Sequence, residues 1–217
     1  MALESSGSAP ERLCWARNMI VLKPNEIRTS PFPHFIQRKI LDDRVAHMLL
    51  DWFESRAPWE PKEIPDFYRL ANLRLREKDL PPHVAPLASF RTYDVIACQM
   101  ESIFGVRLLR NVDISAHRLR DGESMGVHTD YGPVGQTHRL LIQLNRGWTM
   151  QNGGMLMLFD EESPSAPSSA HRYYLPISQS GFGFAISTNS FHAISPIIGQ
   201  DRYTLVYSFT SVLQNSA

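Results

Sequence analysis

A histidine and an aspartate two residues apart, His128 and Asp130 in VHTD, close a strand-like stretch. In an extended chain, residues i and i+2 point to the same face, so an imidazole and a carboxylate can converge on one ion. A third ligand on a facing strand would complete a face of two imidazoles and one carboxylate, leaving the other half of an octahedron open. That geometry suits non-haem Fe(II), which needs open positions for a cosubstrate and oxygen. His192, in NSFHAISP after the strand-like GFAIS, is the natural third ligand. Ten residues on, Arg202 begins RYTLVYSF, and Thr204 shares its face by period two. A guanidinium beside a hydroxyl suits a small dicarboxylate: arginine grips a carboxylate through two parallel bonds and the hydroxyl adds a third.

Other residue sets point elsewhere and carry less. Gly153-Gly154 precedes a strand and opens no helix, so it reads as a tight turn rather than a phosphate cradle. Ser187, Ser190 and Ser195 flank His192, but no G-x-S-x-G elbow occurs. His138 and Arg139 could contact substrate or cosubstrate, or be exposed or ion-paired. His117 and Arg120 could line a mouth, and Trp148 reads as packing.

With the four elements in this order, the sequence resembles the Fe(II)- and 2-oxoglutarate-dependent dioxygenases, in their prolyl-4-hydroxylase-like branch. The resemblance is carried by HTD, LNRGW…NGGMLMLF (residues 144–159), FHAISPIIG (residues 191–199), Arg202 and Thr204, and it spans about residues 114–209. It implies an α+β fold with a double-stranded β-helix (jelly-roll) core and N-terminal helices packed on one sheet. It implies that His128, Asp130 and His192 are the Fe(II) ligands, and that Arg202, assisted by Thr204, holds the distal carboxylate of 2-oxoglutarate. The implied reaction consumes O2 and 2-oxoglutarate, releases succinate and CO2, and hydroxylates an unactivated C–H of an amino-acid side chain, free or in a peptide.

Two departures matter. Many relatives carry a tyrosine nine residues before the first ligand, in contact with the cosubstrate; here that position is Leu119, although the glycine three residues later is present as Gly122. Gln143, in LLIQLN, is the candidate to supply the missing contact. Halogenating relatives replace the carboxylate by a small residue, and Asp130 fills that position. Desaturation and cyclisation use the same triad. A non-redox hydrolase or isomerase could also use it as a Lewis-acid site, without need of Arg202 and Thr204. A non-catalytic binding module would have no need of an intact triad.

The elements that must position these residues follow from periodicity. MIVLK (residues 19–23) reads as a short strand after a flexible leader, residues 1–18. Leu41, Val45, Met48 and Trp52 lie on one helical face, predicting a helix over 37–56, which Pro58, Pro61 and Pro65 break. Residues 57–82 then read as a long connection or lid. Phe90, Tyr93, Ala97, Met100 and Phe104 predict a second helix over 84–104, with Gly105 at its end. Beyond it the period becomes two: Val112, Ile114 and Ala116 alternate with polar residues, and strands are expected at 139–145, 155–159, 183–187 and 202–209. The Ser/Pro/Ala tract at 163–170 reads as a surface loop. Helices first and strands after is an α+β layout.

Composition sets the frame. A chain of 217 residues predicts one domain, 1–217, with a helical support region at 19–105 and the jelly-roll core at 106–213. Lys plus Arg and Asp plus Glu are 22 each, so no diffuse positive field recommends nucleic acid or an anionic membrane as partner. The two cysteines, Cys14 and Cys98, make no C-x-x-C pair, which disfavours a disulfide scaffold or cysteine-held zinc. Neither a secretory leader nor an apolar run long enough to span a bilayer is present, so the expectation is a cytoplasmic protein acting on a small molecule or peptide. Nothing in the sequence indicates an oligomeric state.

Overall fold

The computed structural model describes residues 19–65, 68–82, 84–111, 113–161 and 170–212. In chain order the strands are β1 (His34–Gln37), β2 (Glu60–Ile64), β3 (Tyr68–Arg74), β4 (Asp113–Leu119), β5 (Met125–His128), β6 (His138–Gln143), β7 (Leu156–Leu158), β8 (Arg172–Tyr174), β9 (Gly181–Ala185), β10 (His192–Ile194) and β11 (Arg202–Phe209). The helices are α1 (Asp43–Ser55) and α2 (Phe90–Phe104). The strands follow the order β1-β9-β6-β11-β4-β3-β5-β10-β7-β8, with β2 added to β3, and every pairing among them is antiparallel. A broad half (β1 to β3) and a narrow half (β5 to β8) meet through the single pair Tyr68–Met125, where the sheet curls over on itself. This curled antiparallel sheet with two helices on one face is the expected jelly-roll.

β11 is the axis of the broad half. All eight of its residues are buried, and by period two they serve two faces. Tyr203, Leu205, Tyr207 and Phe209 face the helices, packing in one core with Val45, Leu49 and Phe53 of α1 and Tyr93, Ile96 and Met100 of α2. Phenolic hydrogen bonds pin that layer: the Tyr93 hydroxyl donates to the Ser208 carbonyl, and the Tyr207 hydroxyl to the Leu87 carbonyl, each at 2.8 Å. Arg202, Thr204, Val206 and Ser208 face the other way, into a cavity. A second core, built from Leu119, Trp148, Leu158, Phe182, Phe184, Ile194 and Ile197 among others, joins the two halves.

Several expected elements are moved or replaced. α1 starts at Asp43 rather than at 37, because the Asp42 carboxylate accepts from the backbone N–H groups of Arg44 and Val45 and caps the helix there. Gln37 belongs instead to β1, which the sequence reading missed. α2 starts at Phe90, capped by Ser89, after a separate 3-10 turn at Ala85–Ala88. Phe90, the first residue of α2, is therefore exposed, and Ile96 takes its place in the apolar stripe. The 19–23 segment makes only an isolated bridge, Ile20 to Leu41. The expected connection or lid at 57–82 is largely the β2–β3 hairpin, paired through β3 to β4. The proline-rich run hid it, although β2 is an edge strand, where Pro61 is tolerated. β8 was also unforeseen. The leader, Val112 and residues 163–169 of the predicted loop lie outside the described residues. Among the described residues no helix is long and apolar enough to cross a membrane.

Leu49 is fully buried between α1 and the sheet. Leu49→Ala should lower the unfolding free energy by roughly 2–5 kcal/mol, read as a reduced urea midpoint with unchanged slope.

Candidate metal centre and cosubstrate pocket

β5 and β10 pair so that His128 stands directly opposite His192. The next matched pair is Met125 with Ile194, so three steps on β5 face two on β10 and a bulge lies at residues 126–127. Such a bulge re-aims the side chain beside it. The Gly126 carbonyl it exposes lies 2.8 Å from His128 Nδ1, and the Ser190 carbonyl lies 2.8 Å from His192 Nδ1. A carbonyl can only accept, so each Nδ1 carries its proton and each Nε2 is the unprotonated, ligating nitrogen. The ring centroids are 4.2 Å apart.

Asp130 joins them by a route the sequence reading did not anticipate. β5 ends at His128, and Asp130 has φ 62°, in the left-handed region that aspartate tolerates better than most residues. The turn, rather than strand alternation, brings its carboxylate back over the imidazoles: Oδ1 is 3.6 Å from His128 Nε2 and Oδ2 is 3.3 Å from His192 Nε2. One potential ligand atom from each residue lies within 4.8 Å of the others. Ser190, fully buried, ties the two arms together: its hydroxyl donates to the Thr129 carbonyl at 2.7 Å and its own carbonyl accepts from His192.

The electrostatics suit a divalent cation. Burial, and then the neighbouring His192, lower the His128 imidazole to about 4, so it is neutral at physiological pH. Burial pushes the Asp130 carboxyl up, but the Arg139 guanidinium and the two imidazoles outweigh it and hold the group well below the usual carboxylate range. Two imidazole nitrogens and one ionised carboxylate oxygen on a single face are a fitting donor set for Fe(II).

The triad opens into a cavity of about 830 Å³. Arg202 lies in its wall, 2% exposed. Its Nε donates to the Gly154 carbonyl at 3.0 Å and its Nη1 to the Thr204 hydroxyl at 2.8 Å, while Nη2 is buried without a partner. Thr204 in turn donates to the Gln143 amide oxygen at 3.1 Å. Burial lowers the Arg202 guanidinium to about 10, still charged, and no carboxylate pairs with it among the described residues. A buried cation with a spare donor asks for an anion, and a carboxylate entering the cavity that Arg202 shares with the triad would supply one.

The Gly-Gly turn serves this arginine. At Gly154, φ is +61° and an added Cβ would lie 2.7 Å from Ile197 and Trp148 and 3.2 Å from Arg202 Cδ. Trp148 is packing, as read, with its indole N–H on the Gly153 carbonyl. Leu119, standing where relatives carry tyrosine, is opposite Arg202 in the ladder, and His117 is opposite Thr204. Both line the cavity, whereas Arg120 does not. Burial lowers His117 to about 3, so it presents a neutral ring. Arg139 proves ion-paired, its Nη1 2.5 Å from Asp130 Oδ2, and His138 is buried against Phe104.

Residues 57–82 were expected to carry specificity as a loop or lid, and the structure places Tyr68, Leu70, Asn72 and Arg74 of β3 and Lys62 of β2 in the cavity wall, none of them singled out from the sequence. The usable signal was the alternation in YRLANLR, whose other face, Ala71 and Leu73, is buried.

Residues 114–209 match the family model described as the 2OG-Fe(II) oxygenase superfamily, and the same stretch carries the His-Asp-His face that could hold a metal ion. No curated protein matches the sequence. Solved structures place the fold beside the prolyl-4-hydroxylases. A Pseudomonas putida prolyl-4-hydroxylase shares 14% identity over 82% of this chain and 91% of its own, at a TM-score of 0.65. A Trichoplax adhaerens prolyl hydroxylase, solved in complex with a hypoxia inducible factor peptide fragment, shares 12% over 94% of each chain, at 0.63. HygX from Streptomyces hygroscopicus, solved with nickel and 2-oxoglutarate, shares 9% over 94% of this chain and 87% of its own, at 0.57. At these identities the likeness is one of fold.

Ser190→Ala removes the tie between the two ligand-bearing arms. The apo-protein should stay folded while Ni(II) affinity falls roughly 10–100-fold; unchanged affinity by calorimetry would show that the arms hold their geometry without it.

Proposed function

We propose that the protein is an Fe(II)- and 2-oxoglutarate-dependent hydroxylase acting on an amino-acid side chain, free or within a peptide. His128, Asp130 and His192 hold the iron, and Arg202 with Thr204 holds the distal carboxylate of 2-oxoglutarate. One observation carries this reading: a buried guanidinium with a spare donor shares one cavity with a three-ligand face. A Lewis-acid hydrolase would need only the second feature. When bound, iron and 2-oxoglutarate activate O2 for attack on a C–H bond, with succinate and CO2 released.

The chain's own residues do the positioning. The carbonyls of Gly126 and Ser190 fix the imidazole tautomers. Gln143 orients the Thr204 hydroxyl, and Gly154 orients Arg202. Leu119, Leu141, Leu156, Ile194 and Val206 line the cavity with apolar surface and keep water from the reacting centre. Asp130 occupies the ligand position that a halide would need, which favours hydroxylation. The peptide bound by the Trichoplax adhaerens relative supports a peptide as well as a free amino acid.

The test is succinate release by the iron-loaded protein, alone and with pools of amino acids and short peptides. The wild type should convert 2-oxoglutarate to succinate, slowly without substrate and faster with one. His128→Ala should abolish turnover, and Arg202→Ala should raise KM for 2-oxoglutarate by roughly 100-fold. No succinate from the wild type, or an unchanged KM in Arg202→Ala, contradicts the assignment.

A further inference from the structure

Strand register arranges the cavity floor in rungs. Gln143, Thr204, His117 and Asn72 form one rung across β6, β11, β4 and β3. Leu141, Val206, Ser115 and Arg74 form the next. Arg139, Ser208 and Asp113 form the third. Thr204 and Ser208 are four residues apart on one strand, or about 13 Å at roughly 3.3 Å per residue. The cavity therefore has two basic poles: Arg202 beside Thr204, and Arg139 beside Ser208 at the opposite end. Leu141 and Val206 lie between them.

We infer that Arg139 is a specificity residue that binds a carboxylate of the substrate. This rests on the function proposed above, in which Arg202 is taken by the cosubstrate. Arg139 lies against Asp130, so a group bound to it is held next to the metal centre. Its Nη2 donates at 2.6 Å to the Gln136 amide oxygen, and Nε is buried without a partner. Gln136 belongs to the loop after the H-x-D motif, and its amide nitrogen donates in turn to Asp113 at 2.6 Å. A neutral amide is a weak partner for a guanidinium, and a carboxylate in its place makes the stronger charge-assisted bond. The Asp130 charge is shared with the cation that the triad holds, so it does not satisfy Arg139 alone.

The mouth agrees. Apart from Arg202 and Asp130, the charged residues lining the cavity are Lys62, Arg74, Arg139 and Asp113, three cations against one anion already engaged by Gln136. The chain as a whole is neutral, so this excess is local and steers anions inward. The carboxylate can be an α-carboxylate or an acidic side chain in a peptide, and the two are separable by probe.

The test uses Ni(II)-loaded protein with 2-oxoglutarate, which binds without turning over, and reads Tm. The probes are a pool of N-acetyl amino acids, the peptides Ac-Ala-Asp-Ala-NH2 and Ac-Ala-Glu-Ala-NH2, and uncharged counterparts of each: N-acetyl amino amides and the Asn and Gln peptides. At about five times Kd, at least one carboxylate arm should raise Tm by roughly 2–4 °C, and the arm that responds identifies the source. The uncharged arms should give no shift. The response should vanish in Arg139→Gln and partly return in Arg139→Lys. Arg74→Gln, remote from the metal ligands, should weaken it even if Arg139→Gln fails to load metal. Equal shifts from uncharged probes, no shift from any probe, or a wild-type response in Arg139→Gln would overturn the inference. The shift given by 2-oxoglutarate itself, lost in Arg202→Ala, is the separate check on the parent reading: its absence overturns both, and its presence without a carboxylate response overturns only this one.

Discussion

A guanidinium buried at the start of a wholly buried strand is the constraint around which the rest is arranged. Arg202 cannot be solvated where it lies, so each donor must meet a partner or await one. Gly154 and Thr204 supply two, and the remaining Nη2 faces the demand for an anion. Meeting that constraint calls for a strand with two different faces. On one, tyrosine, leucine and phenylalanine lock β11 to the helices; on the other, alternate positions are free to be polar because they line a cavity. The helical layer is the rigid backing that lets a charged group be held inside the fold.

The metal face obeys the same economy of position. Its histidines are 64 residues apart in sequence yet directly opposed in one antiparallel ladder. A bulge, a left-handed aspartate and one buried serine convert that pairing into a convergent donor set. Asp130 apart, none of these devices is a ligand. Each fixes an angle or a tautomer, and a triad displaced by an ångström would lose its open coordination positions or its reach to Arg202.

How much of this was legible in the sequence depends on the scale of the signal. The triad, Arg202 and Thr204 stood out because their types and intervals are unusual together, and the structure brings all five into one cavity. β4, β6, β9 and β11 were visible as period-two runs. Helix starts were misplaced because capping at Asp42 and Ser89, not the apolar stripe, sets where α1 and α2 begin. The β2–β3 hairpin was hidden by Pro58, Pro61 and Pro65, which look like breakers until an edge strand is known to accept them. The route by which Asp130 reaches the triad was misread, since alternation and a left-handed turn both bring residues i and i+2 together. Arg139 was illegible as a partner of Asp130, because its place depends on β6 lying across β11 from β4.

The central claim is that one cavity holds both a metal on His128, Asp130 and His192 and a dicarboxylate chelated between that metal and Arg202. Anaerobic addition of Fe(II) and then 2-oxoglutarate to the apo-protein, followed by visible absorption, reads this directly. A weak charge-transfer band near roughly 500 nm, absent from His128→Ala and requiring far more 2-oxoglutarate in Arg202→Ala, is the predicted result. Metal bound without any such band in the wild type, or a band indifferent to Arg202, would contradict it.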